Sequence, residues 1–317
     1  MRKGLRCLLV ATAAMAAPLT TSAADGAIHV LTGGSGSPNY PLGVALAGAI
    51  GKAMPSISTT VRTTKASVES LNLLQAGRGE IAFTLGDSLS DAWTGNAEAG
   101  FERPLKKLRG IAAIYPSYIQ IVARADAGIQ SIADLKGKKI SVGAQKSGIE
   151  LDARKIFRAA GITYKDFAKV EYVPFGEAAE LMKSREIDAT LQTAGLGASS
   201  LRDLATSVDI VVVPIPADVI RKSHDPAYFP ATIPANTYRG QSADVASAAV
   251  RNYLVTHEGV SEDIAYGMTK ALWTSLDQLV AAHSAAEAID LRHALDRMPV
   301  PLHPGAEKYY KEVGVLK

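Results

Sequence analysis

The chain has 317 residues, of which 47% are hydrophobic, 21% charged and only 6% aromatic, room for two globular units at about 150 residues each. That profile excludes a disordered chain, a collagen and a disulfide scaffold. The formal net charge of +3 sits at the N-terminus: Arg2, Lys3 and Arg6 precede the first acid, Asp25, and without them the 34 basic residues fall to 31, equal to the 31 acidic ones. The neutral remainder has no electrostatic footprint for nucleic acid or an anionic membrane.

Residues 1–24 carry those three charges, then the apolar run Cys7–Leu19, then the small residues Thr21, Ser22, Ala23 and Ala24. This order is that of a signal peptide cleaved near Ala23 or Ala24. Its apolar run falls short of the roughly 20 residues a membrane span needs. The only cysteine, Cys7, lies inside it. The exported product therefore carries no thiol for a disulfide, a nucleophile or a metal. Export without disulfides suits a bacterial periplasm, and no later apolar run is long enough to make the product membrane-spanning.

Beyond the leader, a strand, a small-residue loop and a helix recur. Ile28–Thr32 runs into the loop Gly33–Tyr40, with Pro41 suited to a first helical turn and Leu42, Leu46, Ala49, Ile50 and Met54 on one helical stripe. Thr59–Thr64 leads through Lys65 and Ala66 to Ser67, which reads as an N-cap. Glu80–Leu85 is a strand ending at Gly86 and Asp87. Leu108–Tyr115 and Tyr118–Arg124 read as two strands parted by Pro116. Ser131–Asp134 has capping-box spacing. Lys139–Gly143 is a strand, Ala144–Gly148 a loop and Ile149–Ala160 a helix stopped by Gly161. Ala189–Thr193, the loop Ala194–Ser199 and a helix from Ser200 repeat the unit, and Ile210–Val213 is a strand buried on both faces. Beyond Asp225 the pattern predicts helices over Asp244–Thr256, Ser261–His283 and Ala285–Arg297.

Alternating strands and helices define an α/β fold with mainly parallel sheets. Ligands in such folds bind beyond the carboxyl ends of the strands. Four of those ends carry Ser, Thr and Gly and lead into helix starts, whose free N–H groups favour an anion. Any one of these loops alone reads as an ordinary capped turn; four together point to a ligand cleft. Tyr40, closing the first loop, is a candidate to wall it.

Catalytic motifs fail. Gly143–Gly148 has the spacing of a phosphate loop, but Ile149-Glu150 stands where Lys-Ser/Thr is needed. Gly33-Gly34-Ser35-Gly36-Ser37 departs from the hydrolase elbow at its last position. The six histidines, His29, His224, His257, His283, His293 and His303, form no zinc spacing and read as surface or satisfied buried residues. Lys136, Lys138 and Lys139 read as a solvated edge, and Trp93 and Trp273 as core.

Several stretches, in this order, resemble the TAXI-type solute-binding receptors of TRAP transporters. They are TGGSGSPNYPLGVALA from Thr32, TTKASVESLNLLQAGRGEIAF from Thr63, SIADLKGKKISVGAQKSG from Ser131, IPANTYRGQSADV from Ile233, TKALW from Thr269 and PLHPGAEKYYKEVG from Pro301. The first and last are the specific ones, whereas SIADLKGKKISVG is common to many binding proteins. The resemblance implies a type II periplasmic binding protein fold, two α/β lobes around a hinge cleft. Lobe I would comprise 25–115 plus 221–317 and lobe II 116–220. It implies a non-catalytic receptor, without cofactor or metal, that captures a small carboxylate (a dicarboxylate, keto acid or glutamate-like molecule) for an ion-driven TRAP membrane permease.

Carried over position by position, the resemblance gives Gly34, Ser35 and Tyr40 in the first loop, Thr64, Ala66 and Ser67 in the second, and Asp87 in the third. Ser147 and Gly148 mark the helix start of the other lobe, with Thr193 and Gly195 facing them. Lys146 either caps a second carboxylate or is a solvated loop lysine. Two departures fall in the presumed cleft: Lys146-Ser147-Gly148-Ile149 where the family often has Gly-Ser-Gly-Thr, and Leu196-Gly197 where it often has Pro-Asn. Three other readings stand beside this one. A receptor for an ABC importer would lack PLHPGAEKYY, a secreted enzyme would need a nucleophile–base pair, and an exported antigen would have an empty cleft.

Overall fold

The structure, a computed structural model, describes residues 27–317; the expected signal segment lies outside them. The first half of the chain runs β1 (Ala27–Thr32), α1 (Asn39–Ala53), β2 (Ser58–Thr63), α2 (Ser67–Gln75), β3 (Ile81–Leu85), α3 (Gly86–Thr94) and the long β4 (Leu108–Arg124). Next come β5 (Lys139–Ser141), α4 (Gly148–Ala159), β6 (Lys169–Glu171), α5 (Phe175–Lys183), β7 (Ala189–Ala194), α6 (Ser199–Ser207), β8 (Ile210–Val213) and α7 (Ala217–Lys222). The chain returns through β9 (Tyr228–Ile233) and β10 (Val245–His257) to α8 (Glu262–Thr274), α9 (Leu276–Ala282) and α10 (Pro304–Glu312).

The strands order as β2-β1-β3-β10-β4-β7-β5-β6, with β8 also on β4 and β9 on β10. Pairing is parallel at both flanks, β1 with β2 and β3, and β5 with β6 and β7. It is antiparallel in the middle, where β10 meets β3 and β4 and β4 meets β7. The sheet is thus mixed, and its two long central strands carry the chain between two α/β halves. One core, around Val30, Leu46, Phe83 and Met268, serves the first half, and another, around Ile121, Ile140, Phe157 and Val213, serves the second. Tyr228, Ala248 and Val250 belong to that second cluster, so β9 and the first part of β10 pack with the second half.

Pro116 does not end a strand. β4 runs through it opposite Arg251, and the register of the pair shifts between Arg251 and Tyr253. A bulge there tolerates the N–H that proline lacks. The predicted helix over Asp244–Thr256 is instead β10. Ala248, Ala249 and Val250 are wholly buried, and a strand covered on both faces shows no alternation to distinguish it from a helix. The helix predicted over Ser261–His283 breaks at Ser275 into α8 and α9, and Ala285–Arg297 forms short 3₁₀ turns. There His283 Nδ1 accepts from the Ala285 N–H (3.0 Å) and Asp290 Oδ1 from the Arg292 N–H (2.9 Å). Such side-chain caps restart the chain and stop a helix propagating.

PLHPGAEKYY builds this frame. His303 caps α10 through Nδ1 and the Gly305 N–H (3.1 Å), while its Nε2 lies 3.0 Å from the Val260 carbonyl. A Cβ at Gly305 would stand 2.2 Å from the Glu262 carbonyl oxygen, which is how closely α10 lies on α8. The buried Tyr310 donates to the Ile111 carbonyl (2.8 Å) and accepts from Trp273 Nε1 (3.1 Å).

Candidate functional site

The starts of α2 and α3 in the first half meet the start of α4 in the second along a seam between the two halves, and the loop after β7 meets Ala285. The seam is closed. A Cβ on Gly148, the first residue of α4, would stand 2.8 Å from Ser67 Oγ and 3.0 Å from Ser88 Oγ, both in the other half. A Cβ on Gly195 would stand 3.0 Å from the Ala285 Cβ.

Ser67 is the first residue of α2 and not its cap. The cap position is Ala66, held at φ 67° and ψ −148°, a conformation open in practice only to glycine and costing of order 1–3 kcal/mol. That backbone turns the Ser67 hydroxyl inward, where it accepts from the Leu85 N–H (3.1 Å). Ser147 does cap α4, accepting from the Glu150 N–H (3.2 Å). Both hydroxyls act as acceptors, so each keeps a proton to donate to an anion. Both are buried.

The other candidates divide. Thr64 staples two loops, donating to the Thr32 carbonyl (2.8 Å) and pairing with Ser70 Oγ (2.8 Å). Gly34 and Ser35 are exposed at the loop tip and Tyr40 is half-buried on the first turn of α1. That helix starts at Asn39, two residues before Pro41. Lys146 is exposed with a left-handed backbone (φ 59°). The Gln120 amide anchors the Gly195 loop through the Ala194 and Gly195 carbonyls (3.2 and 3.4 Å).

Asp87 already has partners. Lys155 Nζ, from the opposite half, donates to Asp87 Oδ2 (3.1 Å), Asp91 Oδ2 (2.9 Å) and Asp225 Oδ2 (2.9 Å). Tyr228 Oη lies 3.1 Å from Asp87 Oδ2 and 2.7 Å from Asp152 Oδ1, with a single proton to give between them. Burial opposes the charge on Lys155, but the three carboxylates outweigh it and hold the lysine's pKa above its ordinary value. Lys155 fills the place a cation would take, and among the described residues no acidic or histidine cluster could hold a metal. Asp152 is the opposite case: burial first, then the nearby Asp87 charge, push its pKa well up from 3.8.

Sequence reasoning missed this cluster and a second group of polar residues. Ser37, Ser141, Thr190 and Gln192 each hold a buried oxygen or nitrogen without a hydrogen-bond partner, and the buried Asp152 and Thr193 side chains face each other. Thr190 and Gln192 alternate along the wholly buried β7, and a polar residue at every second position of a buried strand was the legible signal. Unpaired buried groups cost about 1–3 kcal/mol each.

The pH dependence follows from Asp152. With its folded pKa raised above the unfolded 3.8, the folded state binds more protons between the two values, so stability falls as pH rises through that window. Asp152→Asn keeps an acceptor for Tyr228, places a donor toward Thr193 and removes the proton requirement. Urea unfolding at a series of pH values should show variant and wild type nearly equal at pH 4. The variant should gain about 1–3 kcal/mol by pH 8; a gap that does not depend on pH would show that the carboxyl is charged in the folded state.

Two α/β halves joined by a pair of long antiparallel strands and meeting at helix starts define the periplasmic binding protein fold. The chain belongs to the NMT1-like family, which it matches over residues 30–314. Similar solved structures include PhnD1 from Prochlorococcus marinus in complex with methylphosphonate (12% identity, 92% of this chain and 99% of that one, TM-score 0.56). The periplasmic binding protein BugD is similar as well (10%, 92% and 95%, TM-score 0.57). A third is a candidate L-cystine ABC transporter protein from Listeria monocytogenes (18%, 85% and 98%, TM-score 0.51). Among the described residues no helix is long and apolar enough to cross a membrane.

Proposed function

We propose that the protein is an exported periplasmic receptor, non-catalytic and without cofactor, that closes its two lobes on a small carboxylate and passes it to a TRAP permease. The observation that carries this reading is the seam. Helix starts from both halves converge there around the buried, proton-bearing hydroxyls of Ser67 and Ser147, an arrangement that favours an anion. The permease type rests on the resemblance of the first loop and of PLHPGAEKYY to TAXI receptors. For the lobes, expected over 25–115 plus 221–317 and 116–220, we place the crossing points at the paired Pro116 and Arg251.

The test is thermal unfolding against mono-, di- and tricarboxylates, amino acids, phosphonates, sulfonates and sugars. A solute that binds only the folded state raises the midpoint. A shift confined to one carboxylate class supports the reading, and a shift with phosphonates or sulfonates alone favours an ABC-type organic-anion receptor. No shift, with no retained ligand in native mass spectrometry, overturns it. Ser67→Ala and Ser147→Ala should each weaken binding by about 1–3 kcal/mol, the cost of a carboxylate left short of a donor. Unchanged titration isotherms for both would place the ligand elsewhere.

A further inference from the structure

Helical periodicity divides α3 into neighbouring stripes. Ser88 faces the seam, Asp87 and Asp91 face Lys155, and Gly86, packed directly on Tyr253 of β10, lines with Ser90 a cavity of about 860 Å³. The cavity lies behind the hinge strands. Tyr228 and Phe229 of β9, Arg251 and Tyr253 of β10, and Asp296, Arg297 and Pro299 line it, and it opens to solvent. Its volume falls in the range of about 300–1,000 Å³ typical of small-molecule sites.

The charges that reach it are two guanidiniums and one carboxylate. Arg251 donates to the Ile114 carbonyl (3.4 Å) and, at a long 3.4 Å, to Asp296 Oδ2, which also contacts His293 Nδ1 (2.9 Å). Arg297 donates to the Pro226 carbonyl (3.1 Å) and has no carboxylate partner among the described residues. Its backbone sits at φ 50°, a left-handed conformation, held where the Tyr253 hydroxyl meets the Asp296 and Arg297 carbonyls (3.0 Å each). The acids of the neighbouring cluster, Asp87, Asp91 and Asp225, are turned to Lys155.

We propose that this cavity is a second ligand site, distinct from the seam, for a small aromatic carboxylate. Arg297 would pair with the carboxylate, and the rings of Tyr228, Phe229 and Tyr253 would cover the aromatic body. A guanidinium without a carboxylate partner can pair with one anionic group, and the half-buried Phe229 with the ring edges of Tyr228 and Tyr253 favours an apolar body beside it.

Isothermal titration calorimetry with benzoate and phenylacetate, and with benzamide and acetate as controls, tests the site. Expected is binding of an aromatic acid with Kd at or below about 1 mM, and at least about tenfold weaker binding of both controls. Arg297→Gln should weaken the aromatic acid at least about tenfold, and Ala227→Trp, which fills the cavity, should abolish binding; far-UV circular dichroism confirms that each variant is folded. The Ser67→Ala/Ser147→Ala double variant should bind it as the wild type does. No heat at about 5 mM of either acid overturns the proposal. So does binding that survives both cavity variants, or that is lost in the seam double variant.

Discussion

Replacing Lys155 by methionine should cost the protein about 3–5 kcal/mol of stability and weaken its solute binding at least about tenfold. The ammonium is the single cation among Asp87, Asp91 and Asp225. Asp87 is wholly buried and Lys155 only 23% exposed, so water cannot take over the solvation the lysine provides. Removing one partner of a buried ion pair leaves an uncompensated charge, which is why the cost exceeds that of a surface pair. Asp87 and Asp91 belong to α3 in the first half and Lys155 to α4 in the second, so the same contact ties the halves together. Loss of the tie reduces the fraction of closed molecules and raises the apparent Kd in proportion. Surface plasmon resonance should then show a faster dissociation rate with little change in association, the result expected of a contact that holds the closed form together. Wild-type dissociation in Lys155→Met would mean that the cluster supports the fold and has no part in closure. Wild-type stability would mean that the lysine adds nothing net to the fold.

The sequence makes the local units legible and leaves the long-range ones hidden, for a physical reason. β1 with α1, β2 with α2, β5 with α4 and β7 with α6 each announce themselves through a strand-like run, a small-residue loop and a helix within a short stretch of chain. The capping box at Ser131 and the stop at Gly161 are of the same kind: Ser131 and Asp134 bond reciprocally, and Gly161 takes φ 74°. β10 carries no such signal. Its small buried residues satisfy the pattern of a helix as well as that of a strand, and its identity comes from β3, β4 and β9, which surround it.

The candidate site divides the same way. Ser147 and Gly148, which the resemblance gives as a helix start, do open α4, with Ser147 as its cap. Ser67 was picked out as a cap and turns out to be held by Leu85, 18 positions along, through the strained Ala66. Asp87 stood out as an acid at a strand end, yet Lys155 is 68 positions away and Tyr228 is 141. No spacing rule reaches that far, so an aspartate that looked free for a ligand is engaged in joining the halves.

Gly148→Val should weaken solute binding by about 100-fold while leaving the unliganded protein folded. Gly148 takes no left-handed backbone angle, so a side chain there costs nothing locally and acts only through what it meets. An added Cβ would lie 2.8 Å from Ser67 Oγ, 3.0 Å from Ser88 Oγ and 3.1 Å from Ser67 Cβ. A serine hydroxyl can rotate away, but a Cβ is fixed to the backbone, so alanine would part the seam by a few tenths of an ångström. The branched methyls of valine hold it further apart, and valine is stiff about χ1. Each half keeps its own core, around Phe83 in one and Phe157 in the other, so the midpoint of thermal unfolding without solute should fall by only a few degrees. Small-angle scattering with saturating solute should report a larger radius of gyration for the variant than for the wild type. Wild-type affinity with a sharply lowered midpoint would reverse the assignment. Gly148 would then be a packing glycine between two permanently joined halves, and the seam would not be where the solute binds.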